Sequence, residues 1–298
     1  MESKIDLSPS FWKVGSLFPS IYQIEVTNGC NFSCDFCLRR LSKRKTRHLP
    51  IEVARKISER DIYGSDFIEF QMSGEPLLHK NLNRILEFFE GKLLIGLSTN
   101  GSLIDKQIPA LLKLDYLTIS VDSIMDYYSI RKGGDFQKLV DNIELILKKR
   151  TSKPIIDLQI VEISGYTTER LTQLQEFVND RKWEINELRT VPDCFIGWLH
   201  PEVEIECNEL CLNPYFSVSI QADGDVVPCC LYFGKDYVYG NVKEKALRII
   251  WEGRKVEEFR ERMRMGGKDT PNFCRRCYMR SPYLLHEQII KSNFIWRP

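Results

Sequence analysis

Six short apolar runs, each but the last followed by a segment of helical period, occupy residues 21 to 191 and constrain the fold more than any other feature. The runs are IYQIEVT, FIEFQM, LLIGLST, YLTISV, IIDLQIVEI and ELRTV. Between them lie PIEVARKISER, NLNRILEFFE, a segment from Ile104 to Leu112, FQKLVDNIELILKK and TERLTQLQEFV, whose apolar residues recur at helical spacing. Strands of nearly continuous apolar character separated by helices pack as βα units around a parallel sheet covered on its faces. The expected class is therefore α/β, with a parallel sheet that is either open or curled into a barrel. After Pro192 the pattern shortens. SVSIQ and VVPCC flank Ala222-Asp223-Gly224-Asp225, a hairpin signal because Asp-Gly tolerates the positive φ of a tight turn, and ALRIIWEGRKVEEFRERMR reads as one charged helix. We expect a core domain over residues 1–191 and a small α+β module over 192–298, with the boundary near 192 to 206.

In parallel α/β architectures the chemistry gathers where strands lead into the following helices. Polar motifs sit at those places here. Cys30, Cys34 and Cys37 follow the first strand, SGEP (73–76) the second, STNG (98–101) the third and SVDS (120–123) the fourth. The N-terminus has charge and prolines where a secretion signal needs an apolar core, and no stretch approaches membrane-spanning length. The expectation is a soluble, cytoplasmic protein whose ten cysteines are thiols or metal ligands. A formal charge of +1 gives no sign of a nucleic-acid or membrane-surface partner.

The cysteines fall into two groups, the triplet and seven more between Cys194 and Cys277. Three thiolates hold three irons of a cubane 4Fe-4S cluster and leave the fourth iron open to a small molecule. A structural zinc site needs four closed ligands, and the nearest spare candidate, His48, lies eleven residues beyond Cys37.

C-x-x-x-C-x-x-C directly after a first strand, with Phe36 before the last cysteine, resembles the radical S-adenosylmethionine (SAM) enzymes. SGEP resembles that family's GGEP segment, with Ser73 in place of the first glycine. STNG, SVDS and IRKGGDF (130–136) resemble its ribose- and carboxylate-contacting segments, so the resemblance runs from Ile21 to Cys277. It implies that SAM chelates the open iron and is split by one electron, giving a 5′-deoxyadenosyl radical that takes a hydrogen atom from substrate. It implies a partial (β/α)6 TIM-like barrel, and it implies roles for named residues as well. Cys30, Cys34 and Cys37 would ligate the cluster, backbone groups at Gly74 and Glu75 would meet the methionine amino group, and Phe36 would lie against the adenine. Ser98, Asn100 and Ser120 would face the ribose or carboxylate, and Arg131 would pair with the carboxylate through its planar fork. A reducing partner such as a flavodoxin or ferredoxin is implied too.

Cys211, Cys229 and the pair Cys274 and Cys277, with Gly224 between the first two, resemble the shortened auxiliary-cluster module called twitch. They depart from the longer SPASM module because no cysteine follows Cys277. One auxiliary 4Fe-4S cluster is implied, although a zinc ribbon suits the spacing equally well. A fully ligated cluster exchanges electrons with a substrate radical. Loss of a proton and that electron turns an alcohol carbon into a ketone, whereas receipt of a hydrogen atom on the other face inverts it. The pattern resembles sugar-alcohol dehydrogenases and epimerases of aminoglycoside pathways, so the expected reaction is oxidation or epimerisation of a small hydroxylated, carbohydrate-like substrate.

Epimerisation needs a thiol donor, and Cys194 in VPDCFIGW is the candidate. Cys207 competes with Cys211 as a ligand and Cys230 adjoins one; each spare cysteine reads more readily as a small buried hydrophobe. One rival is a peptide-modifying epimerase or crosslinking maturase, for which the roughly twenty residues before the first strand are too few to build a leader-binding domain. The other is a zinc-binding interaction protein, colourless and free of sulfide. The basic run from Arg39 to His48 reads as a solvated loop rather than an anion site, and His79, His200 and His286 receive no role.

Overall fold

The computed structural model describes residues 18–62, 64–162, 167–193, 195–200, 202, 210–277 and 280. All six apolar runs form strands: β1 (Ile21–Ile24), β2 (Phe67–Phe70), β3 (Leu94–Thr99), β4 (Tyr116–Ser120), β5 (Ile155–Glu162) and β6 (Glu187–Pro192). They pair in parallel and in sequence order. Successive strands are joined through α1 (Ile51–Arg60), α2 (Leu82–Glu87), α3 (Ile104–Leu111), the short α4 (Tyr127–Ile130), α5 (Phe136–Lys149) and α6 (Thr167–Arg181).

Helix α5 shows how the sequence sets these elements. The Asp135 carboxylate caps it by accepting from the Lys138 amide at 3.1 Å, and Lys148 and Lys149 complement the dipole at its far end. Leu139, Val140, Ile143 and Ile146 form its buried stripe. Each such side chain contributes on the order of 1.5–3 kcal/mol on burial.

The strands alternate in character. Tyr22, Ile24, Ile68, Phe70, Leu97, Leu117, Ile119, Leu158 and Ile160 face the helices in one continuous apolar core. The opposite face carries Gln23, Glu25, Glu69, Thr118 and Asp157, all buried. The expectation of strands apolar on both faces is corrected by these polar positions, which hydrogen-bond to partners on other strands and loops: Gln23 accepts from Ser219, Glu69 from Ser98, Thr118 from Arg189 and Asp157 from Asn186. Arg189 on β6 acts electrostatically on Glu69 on β2, four strands away. A flat sheet at about 4.8 Å per strand would leave them about 19 Å apart. The sheet therefore curls with its polar face inward, as in a partial TIM-like barrel.

Beyond β6 come α7 (Ile196–Leu199), α8 (Asn213–Phe216), β7 (Ser217–Ile220), β8 (Asp225–Val227), β9 (Gly240–Asn241), α9 (Leu247–Trp251) and α10 (Arg254–Met265). Strand β7 lies parallel against β1, and β8 and β9 follow antiparallel, giving the order β6-β5-β4-β3-β2-β1-β7-β8-β9. The C-terminal residues thus extend the core sheet. The expected hairpin is present, with Gly224 at φ +90 and its amide donating to the Gln221 carbonyl at 2.7 Å. The single helix expected over 246–264 is two. Gly253 interrupts it in an extended conformation, where a Cβ would stand 2.9 Å from the Ile250 carbonyl oxygen.

Candidate active site

The loop after β1 carries the cysteine triplet, and its last two members close a tight turn in which the Cys37 amide donates to the Cys34 carbonyl at 3.2 Å. Cys30, Cys34, Cys37, Phe36, Gly74, Glu75, Ser98, Asn100, Ser120 and Arg131 all line one cavity of about 210 Å³. The loops after β1, β2, β3 and β4 therefore converge on one space. Burial pushes the Cys30 thiol up to about 11 and raises Cys34 as well, the cost of ionising a thiol away from water.

Close packing of two loops explains the glycine of SGEP. A Cβ on Gly74 would lie 2.1 Å from the Thr27 carbonyl oxygen and 2.6 Å from that of Gly29, so only glycine lets the β2 loop press on the cysteine loop. The preceding Met72 takes φ 125, a strained value for a residue with a side chain. Glu75 serves as an internal brace. Its amide donates to Gly29 at 2.8 Å, and its buried carboxylate accepts from the Thr99 hydroxyl at 2.6 Å, the Asn100 amide at 2.7 Å and the Leu77 amide at 3.0 Å. Burial raises this carboxyl despite those donors.

Asn100 ties the third strand to the triplet. Its side-chain amide donates to Asn31 at 3.1 Å and stands 3.9 Å from the Cys30 sulfur. The Ser98 hydroxyl, at the cavity wall, donates inward to Glu69 at 3.0 Å, and Gln71 donates to the same carboxylate at 2.8 Å. Burial pushes Glu69 up to about 7, against the lowering effects of Arg189 and of the Ser98 bond. Deeper on this face Arg189 donates to Thr118 and lies 3.8 Å from Asp157. Arg131 forms a buried ion pair with Asp122, stands over the Phe36 ring at 5.3 Å, and has one guanidinium nitrogen 4.0 Å from the Cys34 sulfur. Asp122 also accepts from the Val161 amide at 2.7 Å, which anchors the pair to β5.

The basic run is exposed along most of its length, as expected of a solvated loop, but it is anchored at its far end and at Arg44. Residues Lys45 to His48 bond back to Thr27 and Asn28, and Arg44 makes a bidentate pair with Glu25 at 2.9 and 2.6 Å. The two side chains are 6% and 0% exposed. Glu25 also accepts from the Ala222 amide at 2.9 Å, so the segment after the triplet is stapled to the β7–β8 hairpin. His79 is structural: its Nδ1 accepts from the Asn81 amide and its Nε2 meets the Leu49 carbonyl at 3.0 Å. His200 stands 3.1 Å from Glu202, and His286 lies outside the described residues.

Cys211, Cys229, Cys274 and Cys277 line a second, narrow cleft with Phe273 and Arg280. Cys274 and Cys277 repeat the turn of the first site, amide to carbonyl at 3.3 Å. Burial pushes Cys229 up to about 12 and raises Cys274 well above its ordinary value. Among the described residues no three His, Cys, Asp or Glu side chains converge closely enough to chelate a single ion. Cys230 is half-buried beside Cys229, while Cys194 and Cys207 lie outside the described residues. The sequence reading missed Glu25, Arg44, Glu69, Arg189 and Arg280. The polar members at every second position of IYQIEV, FIEFQ and IIDLQI were the available signal for an inward polar face.

Comparison with known proteins bears on both sites. The model of the radical SAM superfamily matches residues 24–178, more than half of the chain. The chain belongs to the radical SAM superfamily. A second model, the SPASM iron-sulfur cluster-binding domain, matches residues 211–278 and so includes all four cysteines of the second cleft. This radical SAM protein accordingly uses a SAM-binding 4Fe-4S cluster and an auxiliary iron–sulfur cluster. It is 24% identical over 274 residues to the S-adenosyl-L-methionine-dependent 2-deoxy-scyllo-inosamine dehydrogenase of Niallia circulans, covering 87% of this chain and 92% of that one. Its fold is similar to that of anSMEcpe with bound AdoMet, at a TM-score of 0.65 and 17% identity over 94% of this chain and 96% of the other. It is also similar to Streptococcus suis SuiB bound to its precursor peptide SuiA, at 0.58 and 17% over 88% and 70%. Among the described residues no helix is long and apolar enough to cross a membrane.

Proposed function

We propose that this radical SAM enzyme removes a hydrogen atom from a small hydroxylated, carbohydrate-like substrate and directs the product toward oxidation or epimerisation. Cys30, Cys34 and Cys37 hold the SAM-binding cluster, and Cys211, Cys229, Cys274 and Cys277 hold the auxiliary one. The donor sets fit these groups: three thiols beside a cavity for a small ligand, and four more around a closed cleft. When bound, the reduced cluster and SAM supply a 5′-deoxyadenosyl radical.

The chain's own residues position and insulate. Phe36 walls the cavity, and Gly74 gives access to backbone groups. Asp122 pairs with Arg131 through its Nε and holds it at the cavity lining, where the outer nitrogens of its fork would be available to a SAM carboxylate. Ser120 and Asn100 offer polar groups at the cavity edge. The observation that carries the substrate class is the polar inner face. Gln71 and Gln159 line the cavity, backed by Glu69, Thr118, Asp157 and Arg189, a surface able to satisfy several hydroxyls at once. With its carboxyl near neutrality, Glu69 is a fitting acceptor for the proton that oxidation releases. Similarity to a dehydrogenase over most of both chains supports this reading. A cytoplasmic setting and an electron donor of the flavodoxin or ferredoxin class complete it, and Cys194 remains the candidate hydrogen-atom donor for epimerisation.

Peptide modification is the second reading, favoured by the fold shared with SuiB bound to SuiA. Anaerobic incubation with cyclitols and aminocyclitols deuterated at the carbinol carbons tests the choice. Deuterium in 5′-deoxyadenosine is the expected result. Transfer from an α-deuterated peptide and from none of the polyols would overturn the proposal. Solvent deuterium in the product marks epimerisation, and its absence from a ketone product marks oxidation.

A further inference from the structure

Around the second cleft one polar atom is left without a purpose. Tyr239 is 8% exposed, and its hydroxyl is buried with no hydrogen-bond partner. Its ring is fixed edge-on against Phe259 at 5.7 Å, and its amide is tied to the Val226 carbonyl at 2.9 Å. Cys229, Cys274 and Cys211 are all close enough to act on it electrostatically. An orphaned buried hydroxyl keeps the full cost of leaving water, a penalty that folded proteins seldom leave uncompensated. Arg260, which also acts on Tyr239, is engaged by the Pro214 carbonyl at 2.9 Å and by Glu257 and has no acceptor to offer, so the sulfurs of the cysteine cage are the acceptors left for the hydroxyl.

We infer that the Tyr239 hydroxyl donates a hydrogen bond to a sulfur of the auxiliary cluster and thereby raises that cluster's reduction potential. The inference rests on the assignment of Cys211, Cys229, Cys274 and Cys277 as the auxiliary ligands. Hydrogen bonds to cluster or cysteine sulfur stabilise the extra negative charge of the reduced state, which makes the cluster a better electron acceptor. Arg280 adds to the effect from another side. It is buried in the same cleft, donates to the Cys274 carbonyl at 3.1 Å and lowers the cost of thiolate charge at Cys211 and Cys274. Tyr239 is thus a positioning and tuning residue, set to help the auxiliary cluster take an electron from a substrate-derived radical.

The test uses the full-length, anaerobically reconstituted protein. The auxiliary cluster of Tyr239→Phe should titrate at a lower midpoint potential than wild type by EPR, while the SAM-binding cluster keeps its potential. An exchangeable-proton coupling on the auxiliary cluster, seen by ENDOR and lost from wild type in D2O, should be missing from the variant. Incorporation of 3-fluorotyrosine at position 239, a stronger donor of nearly the same size, should move the potential upward, and it keeps the test decisive if the phenylalanine variant folds poorly. An auxiliary cluster whose potential and proton coupling are the same in all three proteins overturns the role of Tyr239 alone. Wild-type protein with iron only at the N-terminal cysteines overturns the ligand assignment and the inference together.

Discussion

The two cysteine sites use one local device in opposite ways. Each contains a C-x-x-C turn closed by an amide-to-carbonyl bond, Cys37 to Cys34 and Cys277 to Cys274, with nearly equal lengths of 3.2 and 3.3 Å. In the first site all three cysteines come from one loop at the end of β1, and the loops after β2, β3 and β4 brace it without adding a fourth thiol. In the second the cysteines come from separate segments: one before α8, one after β8, two after α10. A single loop can encircle only part of a cluster, and it leaves a side open onto a cavity. Segments drawn from remote parts of the chain can close around one completely. Openness suits ligand chemistry, and closure suits electron storage.

Cysteine replacement tests that contrast most severely. Cys34→Ala should reduce SAM cleavage to background, read as 5′-deoxyadenosine formed with dithionite. Cys274→Ala should retain cleavage and lose substrate conversion. Equal loss of cleavage in both variants would erase the distinction between an open and a closed site.

A smaller effect is expected where the two sites are joined. Glu25→Ala leaves the buried Arg44 guanidinium with only the more distant Asp223 carboxylate, 3.9 Å away, and strands the Ala222 amide, which should cost about 3 kcal/mol in urea denaturation. Because the pair spans the triplet's loop and the hairpin, iron should become easier to chelate from both sites. Loss confined to one of them would show that the sites are built independently.

The smallest effect belongs to the inner face beside the open site. Glu69 has its folded value raised from 4.5 to about 7, so the native state holds its proton more tightly than the unfolded chain does. This group then favours folding fully below about pH 4.5, and the contribution is lost as pH rises through about 7. Glu69→Gln should remove that slope and be more stable than wild type above pH 7, by up to about 3 kcal/mol. Parallel stability curves for the two proteins would show that Glu69 is not desolvated.

What could be read from the sequence followed how local the determinants are. The strands and helices follow from period, and the open site follows from an eight-residue stretch with motifs at consecutive strand ends. The closed site was legible as four cysteines because cysteine is rare and its pairing conspicuous. Its surroundings were not: Tyr239 and Arg280 acquire meaning only when α10 and the hairpin have folded around the cage. Arg44 sits in a block of like charges that reads as solvated, and its burial comes from Glu25, nineteen positions away. Glu69 owes its raised carboxyl to burial on the inner face, against the opposing Arg189 of β6, and alternation within one strand cannot report how deeply that face is enclosed.

The place of β1 between β2 and β7 has a consequence for how such a chain can evolve or be cut. Removing everything after residue 191 would strip the hydrogen bonds from one flank of β1 and expose an unpaired, apolar edge, an invitation to aggregation. The C-terminal segment is therefore a wall of the house and not an annex. A lineage that abandoned its second cluster would have to keep the strands that once carried it.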